Sequence, residues 1–186
     1  MSHTVSFSAR TASLSALLAA SVLAGCASVS PMYSQDTLPE SVKVPAGHRV
    51  AMQTVGIGEI TYECRTKKEM AGQFEWTFVG PDAVLNDRAG MKVGKYYGPP
   101  ATWESADGSK VTGAQVAVAP AGPANIPHQL VKANPASGNG MMNGISYIQR
   151  VATVGGIAPP TTCDSGKVGV KQNVRYQADY IFWKAS

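Results

Sequence analysis

Five side chains near the middle of the chain carry most of its chemical potential: Trp103, Glu104, Asp107, His128 and Arg150. Glu104, Asp107 and His128 are the residue types of a general acid–base set. Trp103, with Tyr96 and Tyr97, offers ring faces on which a ligand can stack. Each feature also has a plainer structural use. Asp107-Gly108-Ser109 favours a turn with positive φ at the glycine, joining two antiparallel strands and leaving Trp103 as a core residue. An isolated histidine is most often a satisfied polar group or a surface residue. Arg150 interrupts an apolar run after Gln149; it suits an anion, but pairing with a carboxylate such as Asp179 or Glu75 is expected, because a buried guanidinium needs a partner.

Catalytic signatures are missing from the chain. It contains no serine nucleophile elbow, no helical pair of zinc-binding histidines and no phosphate-cradling glycine loop ahead of a helix. Gly56-Ile57-Gly58 and Gly155-Gly156 lack such surroundings and read as turns. No catalytic, metal-binding or cofactor-binding residue is therefore assigned. The candidate ligand-binding residues are Tyr96, Tyr97, Trp103, Glu104, Asp107 and His128, on a surface formed by residues 96–109 and the loops around Asn125–His128.

The three cysteines divide into one and two. Leu23-Ala24-Gly25-Cys26 ends a small-residue-rich apolar stretch that follows Arg10, the shape of a secretory signal peptide and too short to span a bilayer stably. With cysteine at the cleavage point it resembles a bacterial lipoprotein signal, cut before Cys26 and lipidated there; an ordinary signal peptide is the plainer alternative. Neither Ala27 nor Ser28 is acidic, so an outer-membrane, periplasm-facing location is expected, with surface exposure as a variant. Cys64 and Cys163 remain. In an oxidising compartment a leftover pair is most simply a disulfide, here closing a loop of about 100 residues. Free thiols are the alternative, and a metal site would need more ligands than His48 and His128 supply.

Charge excludes little else. The formal net charge is +4, but lysines and arginines are interspersed with acids, as in Lys67-Lys68-Glu69, without the concentrated basic face of a nucleic-acid binder. Beyond the leader no apolar segment is long enough to span a membrane as a helix, so the expected membrane contact is the lipid on Cys26.

The elements that must position these residues are short and β-like. Ile60–Cys64 and Phe74–Phe78 alternate in polarity, as does Val174–Trp183; Met91–Tyr97 and Lys110–Val118 alternate more weakly, and Ile145–Val154 is the longest strand candidate. With 19 glycines and 12 prolines, hardly any window keeps a helical period, and only Thr66–Ala71 and Pro81–Asn86 suggest a helix or turn. The expected organisation is a signal peptide (1–25), a lipidated N-terminus and tether (26–45) whose apolar Leu38 and Val42–Val44 begin the fold, and one β-rich domain (46–186). That domain is expected to be mostly β, a single antiparallel β-sandwich or distorted barrel with Trp76, Tyr147, Tyr180 and Phe182 in its core.

From Tyr62 to Trp183 the sequence resembles the exported proteins grouped as domain of unknown function 3455. The resemblance rests on Tyr62-Glu-Cys64, Trp76-Thr-Phe-Val-Gly-Pro-Asp-Ala-Val-Leu85, Trp103-Glu104 with Asp107-Gly-Ser109, Tyr147–Gly156, Pro159–Asp164 and Tyr176–Phe182. It implies no biochemical activity. The chain also has Lys95-Tyr96-Tyr97 where members often carry a histidine, and His128 where they tend to carry an aromatic residue. The functional expectation is a non-enzymatic envelope protein that binds a small ligand, an envelope polymer or a protein; an extracytoplasmic hydrolase and a purely structural component are the alternatives.

Overall fold

The computed structural model describes Tyr33–Ser186, with Met1, His3 and Thr4; Cys26, the leader and the first part of the expected tether lie outside the described residues. Strands β1 (His48–Thr66), β2 (Phe74–Asn86), β3 (Lys92–Tyr97) and β4 (Thr102–Ser105) are followed by β5 (Lys110–Ala119), β6 (His128–Ala133), β7 (Ile145–Gly155) and β8 (Lys171–Ala185). Each pairs antiparallel with the next, and β8 returns to β1 from His48↔Ala185 to Glu63↔Lys171, closing the eight strands into a ring. Closure leaves no open edge, and eight strands enclose just enough space for side chains or one small ligand. The mostly β, single-domain expectation holds, in its distorted-barrel form.

Alternation decides which side chains enter the ring. Gly56, Gly58, Ile60, Tyr62 and Cys64 share the inward phase of β1, opposite exposed Ile57. The expectation of a turn at Gly56–Gly58 is thus corrected. These glycines lie inside a strand, and at Gly56 a Cβ would sit 2.5 Å from Cε2 of the buried Tyr180 ring. Pro81–Asn86 is not helical either: it is the second half of β2, with Pro81, Ala83 and Leu85 inward and Asp82 and Val84 outward. Gly155 and Gly156 do turn the chain where β7 ends, at φ of 68° and 80°.

One end of the barrel is filled. Leu85, Met142, Ile148, Tyr180 and Phe182 are fully buried there and belong to one apolar cluster. Tyr180 and Phe182 are core residues as expected. Trp76 and Tyr147 are only partly buried, and each has a specific reason. Trp76 lies toward the strand ends, where its Nε1 donates to Thr161 O at 2.7 Å. Tyr147 is turned outward by an irregularity in the β7–β8 register between Ile145 and Tyr147, so that Ile145 and Ile148 take the inward places. Its ring packs edge-on against His48 and beneath the Lys132 ammonium.

A second apolar cluster lies outside the ring. Val42, the last residue of a 3-10 turn at Glu40–Val42, and Val44 just after it pack on Ala119, Leu130, Val151, Ile181 and Trp183, with Tyr33 and Leu38 against the cluster's margin. Gln149 is the polar node beneath them. Its Nε2 donates to Val42 O at 2.7 Å and to Gln35 Oε1 at 3.0 Å, while its Oε1 accepts from Trp183 Nε1 at 2.9 Å and Tyr33 Oη at 3.3 Å. Gln35 also bonds both backbone groups of Val44. Residues 33–45 are therefore packed on the barrel wall. Leu38 and Val42–Val44 do begin the fold, and Tyr33 and Gln35, expected in the tether, belong to it as well.

Cys64 and Cys163 form a disulfide, joining the end of β1 to the β7–β8 loop across 99 residues. The chain-entropy model assigns such a loop about 4.7 kcal/mol of stability. The same loop is held by Gly169 N on Cys64 O and by Asp164, whose side chain accepts from Gly166 N at the second 3-10 turn.

Candidate ligand-binding cavity

At the end opposite the packed core the barrel holds a cavity of about 380 Å³, within the lower part of the range for small-molecule sites. The inward phases of β3 and β4 bring Tyr96 and Trp103 face to face beside it, with centroids 4.6 Å apart and planes inclined by 19°. The Tyr180 ring supports the pair from the core, 5.0 Å from Tyr96 and 6.0 Å from Trp103. Ile60 and Tyr62 from β1, with Ile126 and Val131 from the β6 region, form further walls. Phe78, Gly98-Pro99 and Pro127 border it from the loop end; Phe78 is 52% exposed, a large apolar side chain left beside an apolar hollow.

The polar groups of the cavity are few. Gln129 Nε2 donates to Gln115 Oε1 at 2.7 Å. Tyr62 donates its hydroxyl to Gly156 O at 2.8 Å. Trp103 is 1% exposed, and its buried indole N–H finds no acceptor among the described residues. Arg150 is the cationic lining residue. Its Nε and Nη2 both donate to Pro127 O, at 3.2 and 2.9 Å, and no carboxylate lies within ion-pair distance of it among the described residues.

The expected Arg150–Asp179 or Arg150–Glu75 pairing is thus overturned. Asp179 faces outward and pairs with Arg88 at 2.8 Å, whereas Arg150 shares the inward phase of Ile148. The charge of Arg150 is felt inside the barrel. Burial raises the phenol pKa values of Tyr62, Tyr96, Tyr176 and Tyr180, and the guanidinium acts on all four in the opposite direction.

The six candidate residues do not form one surface. Tyr96 and Trp103 line the cavity. Tyr97 and Glu104 take the outward phase of the same strands, where Tyr97 Oη donates to Glu104 Oε2 at 2.7 Å and Lys95 and Lys110 flank the carboxylate at 3.3 and 3.7 Å. The tyrosine hydrogen bond, followed by the lysines, lowers the Glu104 pKa. Asp107 shapes the β4–β5 hairpin: it accepts from Ser109 N, Ser109 Oγ and Met141 N, which hold its carboxyl at a pKa of about 2. His128 begins β6 opposite Ala119, at the far end of β5 from that hairpin, about 30 Å away at 3.3 Å per residue. Its buried Nδ1 has no partner among the described residues, and desolvation, then Arg150, lowers its pKa. Glu104, Asp107 and His128 accordingly do not converge into an acid–base set.

Tyr62, Phe78, Gln115 and Gln129 were not singled out in sequence. The signal for Tyr62 was its place in the Ile60–Tyr62–Cys64 phase; Gln115 and Gln129 carry none, because they meet only through β5–β6 pairing. Among the described residues no group of three or more His, Cys, Asp or Glu side chains is arranged to hold a metal ion. No helix among them is long and apolar enough to cross a membrane.

No curated protein and no solved structure is significantly similar to this chain. A family model described as a protein of unknown function (DUF3455) matches residues 45–184, from the turn before β1 to the last residues of β8. The match takes in all eight strands but for the last residue of β8, and the chain belongs to the DUF3455 family.

Proposed function

We propose that the protein is an exported, lipid-anchored binding protein of the bacterial envelope, and that its barrel mouth takes up a small, largely apolar ligand without chemical turnover. The observation that carries this reading is the uneven filling of the barrel: Leu85, Ile148, Tyr180 and Phe182 are fully buried toward one end, while the other keeps a hollow of about 380 Å³ beside a stacked tyrosine and tryptophan. A ring that merely needed stability would be expected to fill that space, since an unfilled apolar cavity is destabilising. The separation of Glu104, Asp107 and His128 removes the acid–base arrangement on which a hydrolase reading would rest. Lipidation at Cys26 follows from the leader sequence and would hold the domain at a membrane facing the periplasm.

Two measurements test the reading. Ligand uptake should quench or shift Trp103 fluorescence, and the change should disappear in Ala101→Trp, which places an indole in the cavity. A small-molecule panel that leaves both the fluorescence and the melting temperature of the wild type unmoved would defeat the binding reading. Metabolic labelling with a palmitate analogue should mark the wild type and not Cys26→Ala; equal labelling would defeat the anchor.

A further inference from the structure

We propose that the cavity selects small apolar organic acids, the apolar body lodged within its aromatic and aliphatic walls and the carboxylate on Arg150. This rests on the reading that the barrel mouth binds a ligand, and adds the chemistry of that ligand.

Arg150 brings an unmatched charge to the cavity. A guanidinium offers five N–H donors, and a single carbonyl, that of Pro127, accepts from Arg150. Charged groups drawn into a protein interior are normally paired, because desolvation disfavours an isolated ion. Arg88 and Arg65, on the outer surface, have carboxylate partners in Asp179 and Glu63. Arg150 instead takes the inward phase of β7, half-buried at the cavity mouth beside aromatic and aliphatic walls, tethered by a neutral acceptor and without a carboxylate partner among the described residues. A carboxylate entering the cavity supplies the missing partner. The planar fork of arginine accommodates such a group in two parallel hydrogen bonds.

The rest of the lining sets the body of the ligand. Tyr96 and Trp103, stacked on each other and backed by Tyr180, make a rigid wall beside the hollow, and exposed Phe78 with Pro99 and Pro127 makes its rim apolar. No lysine and no carboxylate lines the cavity, so a cationic ligand would meet only repulsion from Arg150.

The test is isothermal titration of the full chain with naphthalene-2-carboxylate, its neutral carboxamide, 2-naphthylmethylammonium and octanoate. The carboxylate should bind roughly 10- to 100-fold more tightly than the carboxamide, the range for a hydrogen bond to a charged group, and the ammonium should bind weakest. Arg150→Gln should bring the carboxylate down to the level of the carboxamide, and Arg150→Lys should keep part of the difference. Equal wild-type affinities across the charge series would overturn the proposal without any variant, as would a carboxylate preference that survives Arg150→Gln. Octanoate, a carboxylate without a ring, should lose affinity in Arg150→Gln as the naphthoate does; octanoate binding unaffected by that change would overturn the placing of the carboxylate on Arg150. Ala101→Trp separates the two levels of the argument. If it blocks all four probes but the charge series is flat, the cavity binds and the anion preference is wrong; if binding persists unchanged in Ala101→Trp, the cavity itself is not the site.

Discussion

Replacing Gln149 by methionine keeps most of the side-chain volume and removes every hydrogen bond the amide makes. The immediate cost falls on two groups left without partners, Trp183 Nε1 and Val42 O, each of which the amide holds within 3 Å. A buried polar group stranded in this way costs about 1–3 kcal/mol, so the pair costs about 2–6 kcal/mol if nothing moves. Residues 33–45 can escape part of that by lifting off and letting water reach both groups. Lifting off exposes Val42 and Val44, which are almost fully buried, at about 1.5–3 kcal/mol each. The two routes are comparable, so neither offers a cheap way out. The expected loss is about 2–4 kcal/mol, or about 5–15 °C in melting temperature for a domain of this size. Thermal unfolding followed by circular dichroism measures the global loss. Amide hydrogen exchange at residues 42–44 and limited proteolysis of residues 33–45 should show that segment loosening first. A melting temperature within about 1 °C of wild type, with unchanged exchange at Val42 and Val44, would refute the role given to Gln149.

Gly56→Ala should destabilise the barrel by about 1–3 kcal/mol, because the added methyl meets the immobile Tyr180 ring; an unchanged melting temperature would show that the ring has room to retreat. Asp107 has a folded pKa of about 2 against an ordinary 3.8, so its stabilisation is complete above the ordinary value and is lost as pH falls from about 4 toward 2. The melting-temperature difference between wild type and Asp107→Asn should therefore shrink across that window, and a difference constant from pH 6 to pH 2 would contradict the assignment.

Where a strand alternates without interruption, the sequence is a faithful guide to the fold. Tyr176, Ala178, Tyr180 and Phe182 enter the barrel in the order their spacing predicts. The failures have local causes. Proline at position 81 disguised the Pro81–Ala83–Leu85 inward phase of β2 as a turn. The irregularity after Ile145 exchanged the faces of β7, sending Tyr147 and Gln149 outward and Arg150 inward. A one-residue shift of this kind reverses every later side chain, and no propensity scale registers it. The candidate site was legible in its aromatic half, because Tyr96 and Trp103 stand opposite each other in a hairpin implied by Asp107-Gly108. Its cationic half was not, because the approach of β7 to that hairpin depends on ring closure between the chain's first and last strands. Tyr97 and Glu104 were drawn into the same set only because sequence adjacency conceals that neighbours on a strand face opposite ways.

The docking of residues 33–45 on the barrel wall also fixes a length. A tether running to residue 45 would span nineteen peptide units from Cys26 and let the barrel roam some 65 Å from its anchor, at about 3.3–3.6 Å per residue. Because Tyr33 and Gln35 are already bonded to the folded domain, only seven units separate Cys26 from the first docked side chain, a maximum reach of about 25 Å. That is about the width of a small barrel. With lipid on Cys26, the protein would be confined to a thin layer over the bilayer, held by one particular wall, and anything destined for its mouth would have to arrive at the membrane surface.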